Sequence, residues 1–142
     1  MKTSNGPLAQ IRAINQVAEF NRWCGIEVAS AEIGKVEITM PWRPEVGQYS
    51  GFLHAGLIGA LIDTACGFAA ATMVGRVLAS HYSVNCLRPA VGERFVARAR
   101  VVKPGKSQVF TACELYAMAG GAETLVETGE TLLLAVSAGA EG

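Results

Sequence analysis

The chain has 142 residues and no formal net charge, with 51% apolar and 17% charged side chains. This composition excludes a strongly basic surface for nucleic acid and favours one domain over residues 1–142, with much of its surface buried in an oligomer. Two histidines, and four cysteines without a C-x-x-C pair, argue against a metal site and predict buried free thiols in a reducing cytosol. No amino-terminal leader pattern is visible, so we expect a cytoplasmic protein.

The spacing of apolar residues predicts two helices and six strands. Helical spacing runs from Pro7 to Arg22, and period-two alternation is clearest over 35–40 and 94–101. Short turns rich in glycine and proline separate the later segments, which is typical of antiparallel strands. In chain order, the predicted elements are a helix at 7–22, strands at 26–33 and 35–40, a helix at about 55–74, and strands at 79–87, 94–102, 109–117 and 124–136.

This order of elements predicts an α+β fold in which one antiparallel sheet wraps a long apolar helix. A sheet of this size cannot cover such a helix on every side, so we expect a second subunit to cover the remainder. Gly129, inside the last predicted strand, indicates a bulge or bend.

Asp63 is the one charged residue between Ala55 and Gly75. A lone carboxylate is costly to bury, so either a function or a capping or bridging role is expected to compensate. Gly59 and Gly67 lie one turn before and after it on the same helix face, which predicts a gap beside the carboxylate. The segment is also long enough to cross a bilayer. Its alanine-rich and glycine-rich composition and its central aspartate make that alternative the weaker one, and no membrane partner is expected.

Three short motifs in this order resemble the hotdog-fold acyl-CoA thioesterases related to phenylacetate-degradation proteins, the PaaI-like group. They are His54-Ala55-Gly56 followed by Asp63-Thr64-Ala65, then Asn85-Cys86-Leu87-Arg88-Pro89-Ala90, and then Val101-Val102-Lys103-Pro104-Gly105-Lys106-Ser107. The resemblance covers about residues 10–137 and departs at Ala55, where the group usually has glycine. It implies a hotdog fold and a homodimer, or a homotetramer built as a dimer of dimers, with each active site between two subunits.

The resemblance also implies hydrolysis of an acyl-CoA thioester to a free acid and coenzyme A, with water as the second substrate and no metal or redox cofactor. Asp63 would act as general base or nucleophile. The N–H groups of Ala55 and Gly56, at the positive start of the helix, would stabilise the oxyanion. Gln48 would orient the carbonyl or the water, and His54 would donate a hydrogen bond that shapes the loop.

Four further residues are candidates for binding the substrate. Arg88, Lys106 and Lys103 carry positive charge near predicted turns, where they suit the phosphates of coenzyme A. Ser83, or alternatively Ser80, would position the water. Each of these residues also has an ordinary explanation as a solvated surface side chain.

Two other functions stay open. A hotdog protein without hydrolase activity could bind an acyl-CoA or an acyl-carrier protein, since a fold does not fix a function. A hydratase or dehydratase would use His54 together with an acid. Asp63 argues against a pure binding protein, which has little need of a carboxylate in an apolar helix. The sequence is compatible with both aromatic and aliphatic acyl groups. It is also compatible with direct attack by Asp63 on the carbonyl and with activation of water by Asp63.

Overall fold

The computed structural model describes residues 6–136, which form three α-helices, a short 3-10 turn and one six-stranded sheet. The helices are α1 (Pro7–Val17), α2 (Glu19–Cys24) and α3 (Ala55–Val74), and the strands are β1 (Glu27–Glu32), β2 (Lys35–Pro41), β3 (Val77–Cys86), β4 (Arg94–Pro104), β5 (Gln108–Ala119) and β6 (Ala122–Ala135). The strand order is β1-β2-β4-β5-β6-β3, and all neighbours are antiparallel. The predicted α+β architecture is confirmed.

Helix α3 packs on one face of the sheet and contacts all six strands. Alternate residues of the central strands point toward it and are buried, as the period of a strand requires. They include Val36, Ile38 and Met40 on β2, Phe95, Ala97 and Ala99 on β4, and Val109, Cys113 and Leu115 on β5. Among the described helices, α3 alone is long and apolar enough to cross a bilayer, and half of its most apolar stretch is buried in the described structure.

The amino-terminal segment forms two helices where the sequence predicted one. The break is at Ala18, whose φ of −83° and ψ of 116° are extended. It allows two buried amide side chains to meet, because Asn21 Nδ2 donates to Asn15 Oδ1 at 3.0 Å and Asn15 Nδ2 donates to the Ile26 carbonyl at 2.9 Å. These contacts compensate for burying both amides. Gly25 ends α2 in the left-handed conformation, so the helical segment extends two residues beyond the predicted end at Arg22.

The bulge in β6 lies at Val126, whereas the sequence predicted a bulge or bend at Gly129, so the prediction of a bulge at that residue is wrong. Leu115 of β5 pairs with Glu127, whereas the next residue of β5 pairs with Leu125, which leaves Val126 as the extra residue. Val126 and Glu127 are consequently both buried. The bulge therefore turns two successive side chains into the interior.

Gly129 instead permits α3 to lie close to the sheet. A Cβ atom at this position would come within 2.7 Å of the Ser83 carbonyl oxygen and 2.8 Å of Ile62 Cγ2. Both distances are below any ordinary van der Waals contact. The residue is therefore glycine because a helix and a neighbouring strand approach it from two sides.

Three of the four cysteines are buried, as predicted, but Cys86 is exposed. It is the last residue of the edge strand β3, where one side of the strand lacks a neighbouring strand in the described chain. All four thiols are free. Apolar neighbours in the sequence could not reveal that β3 lies at an edge.

Candidate functional site

A pocket of about 470 Å³ opens at the amino-terminal end of α3. Its walls come from the loop before α3, the first turns of that helix, the segment after β3, and β6. Four of the predicted site residues line it, namely Gln48, His54, Ala55 and Arg88. The fold therefore brings together candidates from two separate segments of the chain.

Main-chain hydrogen bonds hold the loop before α3. The His54 N–H donates to the Val46 carbonyl at 3.0 Å, and the Gln48 N–H donates to the Phe52 carbonyl at 2.8 Å. The side-chain oxygen of Gln48 accepts a further bond from the Ser50 N–H. Gln48 thus has its oxygen engaged in the loop, which leaves its amide NH₂ as the group that can donate to a ligand.

The first turn of α3 holds the predicted oxyanion donors. His54 caps the helix, because its Nδ1 accepts a hydrogen bond from the Gly56 N–H at 2.8 Å. The sequence led us to expect a donor at His54, but this nitrogen is an acceptor, so the ring proton lies on Nε2. The Gly56 N–H is already bonded, whereas the Ala55 N–H has no acceptor among residues 6–136. Ala55 is therefore the available donor of the two.

Asp63 is half-buried on α3 and does not line the pocket. Because a helix rises about 1.5 Å per residue, Asp63 lies about 12 Å beyond Ala55 along the axis. Burial raises the pKa of its carboxyl group. The predicted gap is present on one side only: a methyl group at Gly59 would come within 3.0 Å of the Tyr82 ring, whereas one at Gly67 would meet its nearest neighbour at 3.9 Å.

Lys103 and Lys106 lie at the opposite end of α3 from the pocket. They belong to the β4–β5 hairpin, which Gly34 connects to the end of the helix. The Gly34 N–H donates to Thr72 Oγ1 at 2.7 Å, and the Val101 N–H donates to the Gly34 carbonyl at 2.8 Å. Since α3 is about 30 Å long, these lysines lie far from the pocket of the same chain, and neither lines it.

The two serine candidates lie on β3. The Ser80 hydroxyl donates to the Leu132 carbonyl of β6 at 3.3 Å, so it is engaged within the sheet. Ser83 is exposed, and its hydroxyl has no partner in the part of the chain that is described. Ser83 is the better placed of the two to contact a water or ligand, and its role stays a prediction.

Glu127 is a pocket residue that the sequence analysis missed. It lies on β6, is 1% exposed, and lines the pocket together with Ala55 and Ile58. Its Oε1 has no hydrogen-bond partner among the described residues. Burial raises the pKa of the carboxyl group, and a bond from the Cys86 thiol opposes part of that effect. The sequence could have indicated that Glu127 faces inward, because every second residue from Leu133 back to Glu127 lies on the inner face of the strand.

No group of three or more histidine, cysteine, aspartate or glutamate side chains within residues 6–136 is arranged to hold a metal ion. The ionisable groups of the pocket are Glu127, His54 and Arg88, together with the Tyr49 phenol and the Cys86 thiol. With the available N–H at Ala55, this set can bind a neutral or anionic ligand and stabilise negative charge that develops on an oxygen.

The family model of the thioesterase superfamily matches residues 50–123, more than half of the chain, including all of α3. The chain belongs to the thioesterase superfamily. It is 34% identical to human acyl-coenzyme A thioesterase 13 over 115 residues, which cover 78% of this chain and 82% of the human protein.

Solved structures of other proteins share the fold of this thioesterase-superfamily chain. A thioesterase family protein from Silicibacter pomeroyi has a TM-score of 0.89 and 34% identity, covering 92% of this chain and 98% of that one. Zebrafish thioesterase superfamily member 2 has a TM-score of 0.80 and 24% identity, covering 91% of this chain and 98% of that one. This second similarity shows a shared fold alone. These matches confirm the predicted hotdog fold and the superfamily. They do not distinguish the PaaI-like group within it.

Proposed function

We propose that this protein hydrolyses acyl-CoA thioesters to a free acid and coenzyme A. The observation that carries the proposal is the available Ala55 N–H at the start of α3, in a residue that lines a pocket of about 470 Å³. An oxyanion that forms at a thioester carbonyl would accept a bond from this N–H at the positive end of the helix dipole. The similarity to human acyl-coenzyme A thioesterase 13 supports an acyl-CoA substrate.

Each active site would use two copies of the chain. Reacting groups must come within about 3–3.5 Å of one another, whereas Asp63 lies about 12 Å along α3 from Ala55. Asp63 from a second copy could approach the pocket from its open side. We therefore infer a homodimer, which could pair again into a dimer of dimers, and we expect it in the cytoplasm.

Strand β3 is the surface that would form this dimer. It lies at the edge of the sheet and pairs along one side only, with β6, in the described chain. Most of its residues are exposed, including Leu78 at 63% and Tyr82 at 48%. A long uncovered edge presents main-chain donors and acceptors to another strand. Pairing of two β3 strands would join the sheets and bring the two α3 helices together.

In this dimer, Asp63 would either remove a proton from the attacking water or attack the carbonyl itself. Burial raises the pKa of its carboxyl group, and a higher pKa makes the ionised form a stronger base. The amide NH₂ of Gln48 would hold the carbonyl. Arg88, with Lys103 and Lys106 of the second copy, would contact the phosphates of coenzyme A. Water is the second substrate, so the proposal needs no metal or redox cofactor.

The test is thiol release from short-chain, long-chain and aromatic acyl-CoA esters by the native protein and by Asp63→Asn. The asparagine keeps the shape of the side chain but removes its charge and basicity. We expect kcat to fall by about 10²–10⁴-fold, which is the usual contribution of a general base. Glu32→Gln is the matched control, because Glu32 is an exposed acid on β1 at the other edge of the sheet.

Full activity in a folded Asp63→Asn variant would show that Asp63 has been assigned wrongly. If the native protein releases thiol from no ester, a protein that binds acyl-CoA without hydrolysis becomes the better account. An enoyl-CoA included in the panel tests the hydratase alternative, since hydration removes its conjugated double bond without releasing thiol. That alternative is the weaker one because Nδ1 of His54 is engaged in the helix cap.

A further inference from the structure

Glu127 is a buried acid that the proposed hydrolysis does not use. It is 1% exposed in the pocket wall, and its Oε1 is neither solvated nor hydrogen-bonded among the described residues. His54 and Arg88 line the same pocket, yet neither forms an ion pair or a hydrogen bond with Glu127 within residues 6–136. A buried polar atom without a partner destabilises a fold. A ligand that supplied the missing hydrogen bond, once the carboxyl group had turned toward the pocket, would remove that cost.

The surroundings of Glu127 favour a neutral hydrogen-bonding ligand group over a charged one. Phe52, Leu53 and Ile58 provide apolar surface in the same pocket. Burial raises the pKa of Glu127, which favours the protonated carboxyl group. A protonated carboxyl group both donates and accepts a hydrogen bond, and so does a hydroxyl group. A cation would instead lose its hydration against an apolar wall.

The position of Glu127 along the fold indicates where the hydroxyl would lie on the ligand. Gly129 lies directly beneath Ile62 of α3. Glu127 is two residues away on β6, about 7 Å along the strand. Ile58 lies one helical turn before Ile62 on α3, and Glu127 and Ile58 both line the pocket. Ala55 is in the adjoining turn, so a group bonded to Glu127 would be about one turn, or 5 Å, from a carbonyl held at Ala55.

We propose that Glu127 selects acyl groups that carry a hydroxyl on one of the carbons near the thioester. The hydroxyl would bond to the carboxyl group of Glu127 and satisfy Oε1, whereas an unsubstituted chain would bury that atom without a partner. Sites built to bond a substrate hydroxyl reject the analogue that lacks it for this reason. The inference rests on the proposed function for the acyl thioester itself, but the selection is a property of binding.

The experiment measures binding of coenzyme A ketones, in which a methylene group separates the sulfur from the carbonyl and prevents hydrolysis. One ketone has a plain octanoyl chain, and in the others a hydroxyl is moved carbon by carbon away from the carbonyl. Isothermal titration calorimetry gives Kd for each compound. We expect at least one hydroxylated ketone to bind the native protein about tenfold more tightly than the plain ketone, as one satisfied buried hydrogen bond allows.

Glu127→Leu is the decisive variant, because it replaces the carboxyl group with an apolar side chain. We expect it to abolish the preference for the hydroxyl and to bind the plain ketone at least as tightly as the native protein does. Glu127→Gln retains a donor and an acceptor and should keep most of the preference. Glu130→Leu is the matched control, because Glu130 is an exposed acid on the same strand outside the pocket.

The inference is wrong if no hydroxyl position improves binding to the native protein, or if a folded Glu127→Leu variant keeps the preference. If Glu127→Leu does not fold, the native protein and Glu127→Gln are both still expected to show the preference, and equal binding of plain and hydroxylated ketones by Glu127→Gln would also contradict the inference. Hydrolysis of the matching thioesters, measured separately, tests the proposed function. Activity on plain octanoyl-CoA without a hydroxyl preference would overturn only the role of Glu127. A hydroxyl preference in binding without any thiol release would overturn only the hydrolysis.

Discussion

At the start of α3, the identity of one capping side chain decides which main-chain N–H can reach a substrate. His54 bonds the Gly56 N–H through Nδ1, so this potential donor is used within the protein. Ala55, one residue earlier, keeps its N–H available beside the pocket. The departure from glycine at this position leaves that donor intact, because alanine has the same main-chain N–H.

Proline in place of Ala55 should remove this donor and retain the helix. Proline is favoured at the first position of a helix. The preceding residue, His54, already has the extended backbone that proline requires before it, with φ of −64° and ψ of 137°. We expect Ala55→Pro to lower kcat by about 10²–10³-fold, the usual effect of removing one oxyanion donor. Steady-state kinetics measure the fall in kcat, and circular dichroism tests whether the helix is retained.

Ala55→Gly is the control for this variant, since it changes the side chain and keeps the N–H. It should retain most of the activity. If Ala55→Pro is folded and its kcat is unchanged, the oxyanion is stabilised by a different group. If both variants lose activity equally, the methyl group of Ala55 matters more than its N–H.

Among whole elements, β6 has the most influence on the site. Glu127 lies on its inner face next to the bulge at Val126, and the Val126 carbonyl accepts bonds from the Leu87 N–H at 2.9 Å and the Arg88 N–H at 3.3 Å. The bulge therefore holds the segment after β3 that carries Arg88 into the pocket. Three residues later, Gly129 allows α3 to approach the same strand.

Gly129→Ala should destabilise the protein, because the added methyl group would meet the Ser83 carbonyl oxygen at 2.7 Å and Ile62 at 2.8 Å. We expect the free energy of unfolding to fall by about 1–3 kcal/mol, the usual cost of overpacking. Urea denaturation measures the change. The control is Gly67→Ala on α3, where the methyl group meets its nearest atom at 3.9 Å and helix propensity favours alanine by up to about 1 kcal/mol. Equal stabilities of the native protein and Gly129→Ala would contradict the close packing of α3 on β6.

For the whole molecule, the central question is whether one chain can form a complete active site. Asp63 and Ala55 lie about 12 Å apart on one rigid helix, and no loop motion can change that separation. The uncovered edge at β3 offers the second chain a place to pair. Catalysis would then depend on association of the chains as well as on folding.

Hybrid dimers should test this sharing directly. One chain carries Ala55→Pro and the other Asp63→Asn, with different affinity tags so that the hybrid can be purified. If each site takes Ala55 from one chain and Asp63 from the other, a two-fold dimer of this kind retains one intact site and about half of the native activity. Each parent homodimer should be nearly inactive and serves as the control. An inactive hybrid of normal dimeric mass would show that both groups come from the same chain.

The local parts of the fold could be predicted because they depend on neighbouring residues. The apolar segment from Ala55 to Val74 is a helix with the predicted bounds, and the burial of β2 alternates as its sequence does. The two glycines Gly120 and Gly121, with φ of 58° and 84°, form the predicted hairpin turn. By contrast, the break at Ala18 depends on Asn15 and Asn21, whose amides meet only after the chain folds back.

By itself, the sequence determined the order of the elements, the central helix with its single acid, and membership of the thioesterase superfamily, which the family match confirms without distinguishing the PaaI-like group. Only the tertiary structure decided that β3 is an edge strand paired with β6, which exposes Cys86 and encloses Glu127 in the pocket. The reason is that periodicity reports which face of one element is buried, whereas a pocket depends on which elements become neighbours. Residues 86 and 127 are far apart in the chain and adjacent across the sheet, and no local pattern encodes that pairing.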